Sequence, residues 1–302
     1  MVTSRTPLSR KRRYLRLFAF TIVATLIAYI LVNTALAWQF VNALTKPACQ
    51  HSPRSIEGLP PPTEFWLHTN DGHKLRFWYY PPKNGAVVIM LGGLGGSLGS
   101  NLPPADFLLA EGFGVLQIDS RACADPLALV TLGQTEVLDA AAGLQFLANQ
   151  PDVNRIGAMG FSMGGVTAIR TAAHHSEILS VIAEGGYYNL GDHVIKPDIP
   201  SSLPRLFFLN SIAVLYWLQT GVNPWSISLI DDLPAINPRP VLLIYGEHEL
   251  TAGRGDLQYA AAQEPKDLWI VPGGNHGTNH IAAPQEYRTR VMDFFRLTLT
   301  EP

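Results

Sequence analysis

The chain has 302 residues, of which 47% are hydrophobic and 15% are charged. That length is enough to bury a sizeable core, as one large domain or two small ones. The net charge is -2, but six of the 22 basic residues precede position 17, which leaves 16 basic and 24 acidic residues in the body. A body with a net charge near -8 excludes a basic nucleic-acid surface, and two cysteines exclude a disulfide framework or a cysteine metal cluster. A single bridge between Cys49 and Cys123 stays open.

The N-terminal part predicts a membrane anchor. Leu17 to Trp38 carries no charge, and as a helix it would reach about 33 Å, enough for a hydrocarbon core of roughly 30 Å. Residues 1–16 form a basic tail with Arg5, Arg10, Lys11, Arg12, Arg13 and Arg16. Positive charge before a span keeps that end in the cytoplasm, so the rest of the chain is expected on the outer side.

The alternative to an anchor is a signal peptide that is cleaved to give a secreted protein. Ala35-Leu36-Ala37 matches the A-x-A pattern of a cleavage site. The apolar run before it is longer than the usual signal-peptide core, which favours an uncleaved anchor. A buried core helix fits poorly, because core helices are seldom apolar on every side for six turns.

Residues 39–63 are interpreted as a linker and residues 64–302 as the catalytic domain. The linker is rich in proline and polar residues and includes Pro60-Pro61-Pro62, which is typical of a semi-rigid spacer. The domain opens with two strand-like runs around Asn70-Asp71-Gly72, a strong hairpin turn.

Short apolar runs alternate with helix-period segments through the rest of the domain. The predicted strands are Glu64–Thr69, Leu75–Tyr80, Ala86–Leu91, Phe113–Ile118, Arg155–Met159, Leu179–Ala183, Val241–Tyr245 and Leu268–Val271. The predicted helices include Thr135–Asn149, Met163–His175 and Pro284–Leu299. The alternation predicts an α/β fold with a mostly parallel sheet, and 187–236, rich in proline and aromatic residues, is interpreted as a cap insertion.

Ser162 lies where a strand is predicted to meet a helix, in the sequence Gly160-Phe161-Ser162-Met163-Gly164. This G-x-S-x-G pattern produces a sharp turn that exposes the serine hydroxyl, and only small residues fit two positions before and after it. In this context the pattern predicts a nucleophile, whereas the alternative is an ordinary serine in a glycine-rich turn.

A serine nucleophile needs a base and a group that orients the base, which follow in the chain order serine, acid, histidine. The acid candidates follow the Val241–Tyr245 strand in Gly246-Glu247-His248-Glu249, and a histidine follows the next strand in Gly273-Gly274-Asn275-His276-Gly277. Glu247, His248 and His280 compete with Glu249 and His276 for these roles.

The run Gly92-Gly93-Leu94-Gly95-Gly96-Ser97 follows the third strand. Its glycines let a backbone N–H turn toward the nucleophile, as a second oxyanion donor requires. The first donor would be the N–H of Met163, at the start of a helix whose dipole favours negative charge. No lysine follows the glycines, so this is not a phosphate loop.

On these motifs, residues 64–300 resemble the α/β-hydrolase superfamily, most closely the single-domain serine hydrolases related to prolyl oligopeptidase and dienelactone hydrolase. The resemblance implies an eight-stranded, mostly parallel sheet flanked by helices, and chemistry without a cofactor or metal. By the same match the triad is Ser162, Glu249 and His276, with oxyanion donors at Leu94 and Met163.

Two segments depart from the family pattern. The His-Gly that precedes the oxyanion residue in relatives is Gly92-Gly93 here. The sequence Arg121-Ala122-Cys123-Ala124 replaces a glycine-rich loop near the expected pocket mouth, which restricts positive φ and puts the analogy of substrate in doubt.

The leading hypothesis is a serine hydrolase acting on a small-molecule ester. A peptidase or an acyltransferase with the same site, and a non-catalytic hydrolase-fold binding protein, are the alternatives. Aromatic residues of the insertion either line a substrate pocket or pack the cap. Tyr187, Trp217 and Trp225 are the candidate substrate-binding residues.

Overall fold

The computed structural model describes residues 10–49, 61–99, 104–195 and 202–300. Its strands are β1 (Thr63–His68), β2 (Lys74–Tyr80), β3 (Ala86–Leu91), β4 (Gly114–Ile118), β5 (Arg155–Phe161), β6 (Ile178–Glu184), β7 (Val241–Gly246) and β8 (Lys266–Val271). Its helices are α1 (Arg10–Thr45), α2 (Pro104–Ala110), α3 (Arg121–Ala124), α4 (Glu136–Leu147), α5 (Met163–His174), α6 (Leu190–Ile195), α7 (Leu203–Thr220), α8 (Leu229–Asp232), α9 (Leu250–Gly253), α10 (Gly255–Ala261), α11 (Asn279–Ala282) and α12 (Pro284–Leu299). Two 3₁₀ turns, Pro224–Ser226 and Leu233–Ile236, lie in the segment 187–236.

The eight strands form one sheet in the order β1-β2-β4-β3-β5-β6-β7-β8. Strand β2 runs antiparallel to β1 and β4, and the other neighbours are parallel. The predicted α/β fold, the opening hairpin and the predicted strands are confirmed, with strand ends within two residues of those expected.

Both faces of the sheet are covered, as the continuous apolar runs predict. Along β3 the odd-numbered Val87 and Ile89 join the core beneath α4 and α5, whereas the even-numbered Val88 and Met90 join the core beneath α2 and α12. Side chains alternate between the two faces of a strand, so burial of every residue in β3 requires helices on both faces. Because the central strands are parallel, their carboxyl ends lie at the same edge of the sheet. This rim is where sites form in open α/β sheets.

Helix α1 is longer than the expected span of residues 17–38. It is long and apolar enough to cross a membrane, and its most apolar part is not buried by the rest of the described chain. The helix continues through residues 39–45, which the sequence assigned to the linker, because this end docks on the domain. There Val41 is fully buried and Thr45 accepts a hydrogen bond at its backbone oxygen from the N–H of Val130 (2.9 Å). Residues 1–9 of the predicted tail and 50–60 of the predicted linker lie outside the described residues.

Candidate active site

Ser162 occupies the sharp turn between β5 and α5. Its φ of 55° and ψ of -120° place a residue with a side chain in a sparsely populated backbone region. Such strain persists only where the surroundings hold it, and here the Ser162 N–H donates to the backbone oxygen of Glu184 at 2.7 Å. The turn lifts the hydroxyl above the rim of the sheet.

Two glycines let this turn approach its neighbours. A Cβ placed on Gly160 would lie 2.0 Å from the backbone oxygen of Gly164, and one placed on Gly164 would lie 2.0 Å from that of Leu91. No side chain fits at such distances, so β5, α5 and the end of β3 can meet only with glycine at both positions. This is the physical content of the G-x-S-x-G pattern.

The structure brings His276 and Glu249 to Ser162. The His276 Nε2 lies 3.0 Å from the Ser162 Oγ, and the His276 Nδ1 lies 2.7 Å from the Glu249 Oε2. Glu249 follows β7 and His276 follows β8, so both side chains emerge from the carboxyl rim that carries Ser162. His276 is about half exposed (49%), whereas Glu249 is buried.

Glu249 is held in the ionised form by its hydrogen bonds. Burial raises its pKa, but donors from His276, the Gly246 N–H (2.8 Å) and Asn279 Nδ2 (3.0 Å) outweigh burial and leave the pKa below its ordinary value. A buried carboxylate in this position fixes the tautomer of the histidine and stabilises the imidazolium that forms when the histidine takes a proton.

A second buried acid lies behind Glu249 and was not predicted from the sequence. The amide of Asn279 bridges the two acids by donating to Glu184 Oε1 at 2.9 Å, and the Tyr287 hydroxyl donates to Glu184 Oε2 at 2.6 Å. Burial raises the pKa of Glu184 to about 6, although both hydrogen bonds lower it. The one feature of the sequence that could have indicated Glu184 is its position as a carboxylate at the end of the buried strand β6.

Replacing Glu184 by glutamine is expected to change how stability depends on pH. The unfolded acid ionises near 4.5 and the folded acid near 6, so the wild-type protein loses stability as the pH rises through this window. The loss relative to Glu184→Gln is expected to be about 2 kcal/mol. Unfolding by denaturant at pH 4.5 and pH 7.5 measures it, with exposed Glu177→Gln as the control, and an equal pH dependence in wild type and Glu184→Gln would contradict it.

The competing candidates take other places. The Glu247 side chain accepts a hydrogen bond from the Gly273 N–H (2.9 Å), which joins two loops of the rim. His248 lines the cleft beside Ser162. His280 packs against Tyr287 with ring centroids 6.1 Å apart.

The two expected oxyanion donors lie in the two segments that adjoin Ser162. Met163 begins α5 directly after Ser162, and Leu94 lies in the glycine loop after β3. That loop reaches Ser162, because a Cβ placed on Gly93 would lie 3.4 Å from the Ser162 Cβ. Within the described part of the chain, neither the Leu94 N–H nor the Met163 N–H has a hydrogen-bond acceptor, so both are available to an anion.

Ser162, Glu249 and His276 line a cleft of about 280 Å³. Its walls include Tyr187 and His193, whose rings stack with centroids 5.7 Å apart, and the Tyr187 hydroxyl donates to the backbone oxygen of Leu132. The candidate residues Trp217 and Trp225 do not line this cleft. Trp217 is on the outer face of α7, and Trp225 packs on Gly191. His193, which does line the cleft, was not predicted from the sequence.

The unusual Arg121–Ala124 segment forms α3 and does not line the cleft. The Arg121 guanidinium is buried and bonds to Asp71 (2.9 Å) and Asp139. Cys123 is joined to Cys49 by a disulfide, so it is not a thiol at the site entrance. The bridge holds the segment after α1 beside the glycine loop, where the backbone oxygen of Ala48 would be 2.6 Å from a Cβ on Gly95.

Replacing both Cys49 and Cys123 by serine is expected to lower the free energy of unfolding by 2 to 5 kcal/mol, because the bridge closes a long loop. Denaturant unfolding in detergent measures the loss. The same substitutions in protein already treated with reductant are the control and should have little effect. Equal stability of oxidised wild type and the double variant would contradict this prediction.

The fold and site can be compared with known proteins. No protein-family model matches the chain. Among curated proteins, it is 28% identical to Rv2307c of Mycobacterium tuberculosis over 268 residues (84% of this chain and 85% of that protein). It is 25% identical to YfhR of Escherichia coli K12 over 244 residues (74% and 77%).

Solved structures share the architecture over most of the chain. The esterase Pf2001 of Pyrococcus furiosus is 26% identical, with 82% of this chain and 99% of that chain covered and a TM-score of 0.60. Dienelactone hydrolase of Anabaena variabilis, at 22% identity, 79% and 99% coverage and a TM-score of 0.56, shares the fold. The sheet order and the helices on both faces are those of the α/β-hydrolase fold, and the similarity to the esterase Pf2001 supports a hydrolase.

Proposed function

We propose that the protein is a membrane-anchored serine hydrolase that cleaves carboxylic esters through an acyl-enzyme on Ser162. The observation that carries this proposal is the unbroken hydrogen-bonded path from the Ser162 hydroxyl through His276 to Glu249 (3.0 and 2.7 Å). A nucleophile, a base and a group that orients the base are the parts that acyl transfer needs.

The reaction would proceed in two stages. The His276 Nε2 takes the Ser162 proton as the oxygen attacks the acyl carbonyl, and His276 then gives that proton to the departing alkoxide. Water, deprotonated by the same nitrogen, attacks the acyl-enzyme, and the proton returns to Ser162. Glu249 stays ionised throughout and stabilises the imidazolium of His276.

The tetrahedral intermediates carry negative charge on the former carbonyl oxygen. We assign the Met163 N–H and the Leu94 N–H as its donors, because neither has an acceptor among the described residues and each lies in a segment that adjoins Ser162. The Met163 N–H also lies at the N-terminus of the 12-residue helix α5, whose dipole favours an anion. Donors fixed before the reaction lower the barrier without reorganisation.

Hydrolysis is favoured over transfer of the acyl group to another acceptor. His276 is 49% exposed, so water reaches the base directly. Esters are favoured as the substrate class by the similarity to the Pyrococcus furiosus protein, which is named an esterase. The 280 Å³ cleft has room for a small acyl group.

Three observations support an uncleaved anchor with the catalytic domain on the outer side. Basic residues precede the apolar segment. The Cys49–Cys123 disulfide is typical of an oxidising compartment. Contacts of α1 with the domain lie on both sides of Ala37, at Asn33 (with Ser211) and at Thr45 (with Val130), so cleavage there would remove part of a packed helix.

Turnover of matched esters and anilides tests the proposed activity. Purified protein in detergent would be given p-nitrophenyl esters and p-nitroanilides of the same acyl groups, graded in chain length. The proposal predicts hydrolysis of the esters, a lower kcat/KM for each matching anilide, and a fall in activity once the acyl chain exceeds the cleft. A higher kcat/KM for the anilides would indicate a peptidase, and no turnover of either series would contradict the proposal.

A further inference from the structure

Helix α7 of the insertion has an exposed face without charge. Its exposed hydrophobic residues are 38% to 83% accessible: Leu203, Leu206, Phe207, Val214, Trp217 and Leu218. The 18-residue helix has one charged residue, Arg205, and the amide of Asn210 on the same face donates to the backbone oxygen of Leu206 (2.7 Å). A surface helix in water normally has a charged or polar outer face, so this face is suited to an apolar environment.

Helix α7 lies alongside α1 and runs in the same direction. At one end the rings of Tyr29 and Phe207 are 5.9 Å apart. At the other end the Gln219 amide donates to Asn42 (2.8 Å) and its oxygen accepts from Thr45 (3.2 Å). The two helices therefore keep a constant register over about four turns, and each level of α7 is fixed relative to α1.

This register places the first half of α7 at the depth of the proposed span. The expected span ends at Trp38, and Tyr29 lies nine residues earlier, about 14 Å deeper along the helix. Phe207 packs at that deep level, whereas Gln219 pairs with residues beyond Trp38. Trp217 and Trp38 are both exposed and lie near the outer end of the span, where tryptophan is enriched at membrane interfaces.

A polar contact inside the span gives an independent reason to place α7 there. Asn33 lies within the uncharged segment of α1 but is only 6% exposed, and its amide donates to the Ser211 hydroxyl of α7 at 3.0 Å. An asparagine within a membrane span needs a partner, and a hydrogen bond to a neighbouring helix is the usual one. The partner of Asn33 is on α7, so α7 must be present at that depth.

From these observations we propose that α7 enters the outer half of the bilayer beside α1, with its uncharged face against lipid. The proposal rests on the proposed anchor and extends it, because the catalytic domain would be held by two helices in fixed register. Helix α6, which carries His193 of the cleft wall, packs against α7, so the cleft would be held close to the membrane surface.

Site-specific fluorescence in liposomes tests the position of α7. The two native cysteines are bonded to each other, so a single introduced cysteine is the only free thiol. The variants Phe207→Cys and Leu218→Cys would be labelled with an environment-sensitive fluorophore in the full-length protein, and Leu127→Cys, which is 87% exposed in a loop, is the control. Nitroxide lipids that quench near the headgroup or near the end of the acyl chain then report depth.

The proposal predicts that the label at Phe207 loses most of its fluorescence with the deep quencher. The label at Leu218 should respond more to the shallow quencher, and the label at Leu127 to neither. Quenching at Phe207 no greater than at Leu127 would overturn the proposal. A label at Phe207 that is shielded from water but insensitive to nitroxide lipids would also overturn it, because a second copy of the chain would then cover the face.

A fourth label separates this proposal from the anchor itself. Val23, the site of a Val23→Cys variant, is on α1 nearer its N-terminal end than the part that contacts α7, and its side chain is exposed in the folded chain. Quenching at Val23 without quenching at Phe207 would leave the anchor standing and refute the position of α7. No quenching at either site would refute the anchor, whereas ester turnover in detergent would still report on the catalytic site.

Discussion

Replacement of Ser162 by alanine is expected to lower kcat for a p-nitrophenyl ester by roughly four to six orders of magnitude, as the loss of the triad nucleophile does in subtilisin. Without the Oγ, no acyl-enzyme forms, and His276 can only assist direct attack by water. The KM should change little, because the hydroxyl is a small part of the cleft surface. Steady-state kinetics with purified wild type and variant measure the effect.

Ser176→Ala is the matched control for this experiment. Ser176 is an exposed serine in the turn after α5, and its removal should leave both kcat and stability unchanged. An activity in Ser162→Ala within about tenfold of the wild type would mean that Ser162 is not the nucleophile, since a tenfold change corresponds to only about 1.4 kcal/mol of barrier.

Replacement of Gly164 by alanine is expected to cost more than about 4 kcal/mol of stability, or to prevent folding. The added Cβ would lie 2.0 Å from the backbone oxygen of Leu91 and 2.7 Å from that of Gly92. Neither atom can move without separating α5 from the end of β3. The added Cβ therefore clashes with the backbone, which cannot give way as a flexible side chain would. Denaturant unfolding and the yield of folded protein measure the effect.

Gly186→Ala is the control for Gly164→Ala, because both substitutions change the conformational entropy of the unfolded chain by the same amount. A Cβ at Gly186 would meet its nearest neighbour, the Val166 Cγ2, at 3.5 Å, which is ordinary van der Waals contact. This variant should therefore keep nearly the wild-type stability. Similar stabilities for the Gly164 and Gly186 variants would contradict the account of the turn at Ser162.

The strands, the main helices and the fold followed from sequence patterns because those patterns are local. Six consecutive buried residues in β3 already require two covered faces, and the glycines around Ser162 record a close approach within one turn. The candidates Ser162, Glu249 and His276 could be chosen because each follows a recognisable strand. In the structure the His276 side chain lies within hydrogen-bond distance of those of Ser162 and Glu249. Their order along the chain is the one expected from the resemblance to α/β-hydrolases.

Features that depend on contacts between distant segments were not predictable. Glu184, Asn279 and Tyr287 meet across about one hundred residues of sequence, and none belongs to a short motif. The Cys49–Cys123 bridge stayed open because the spacing of two cysteines does not show whether they meet in space.

Trp217 was a candidate for the cleft because the sequence shows that α7 is aromatic but not which way its faces point. The apolar residues of α7 can be interpreted as packing within the cap only on the assumption that water surrounds the helix. Once α1 is placed beside it, the same residues form a surface that continues that of the proposed anchor.

A covalent adduct with a serine-reactive probe would show directly whether Ser162 is an activated nucleophile. Intact wild-type protein would be treated with a fluorophosphonate, digested, and examined by mass spectrometry. One adduct is expected, on the peptide that contains Ser162, and none in Ser162→Ala. An unmodified Ser162 in protein that hydrolyses esters, or an adduct on another residue, would contradict the assignment of Ser162 as the nucleophile.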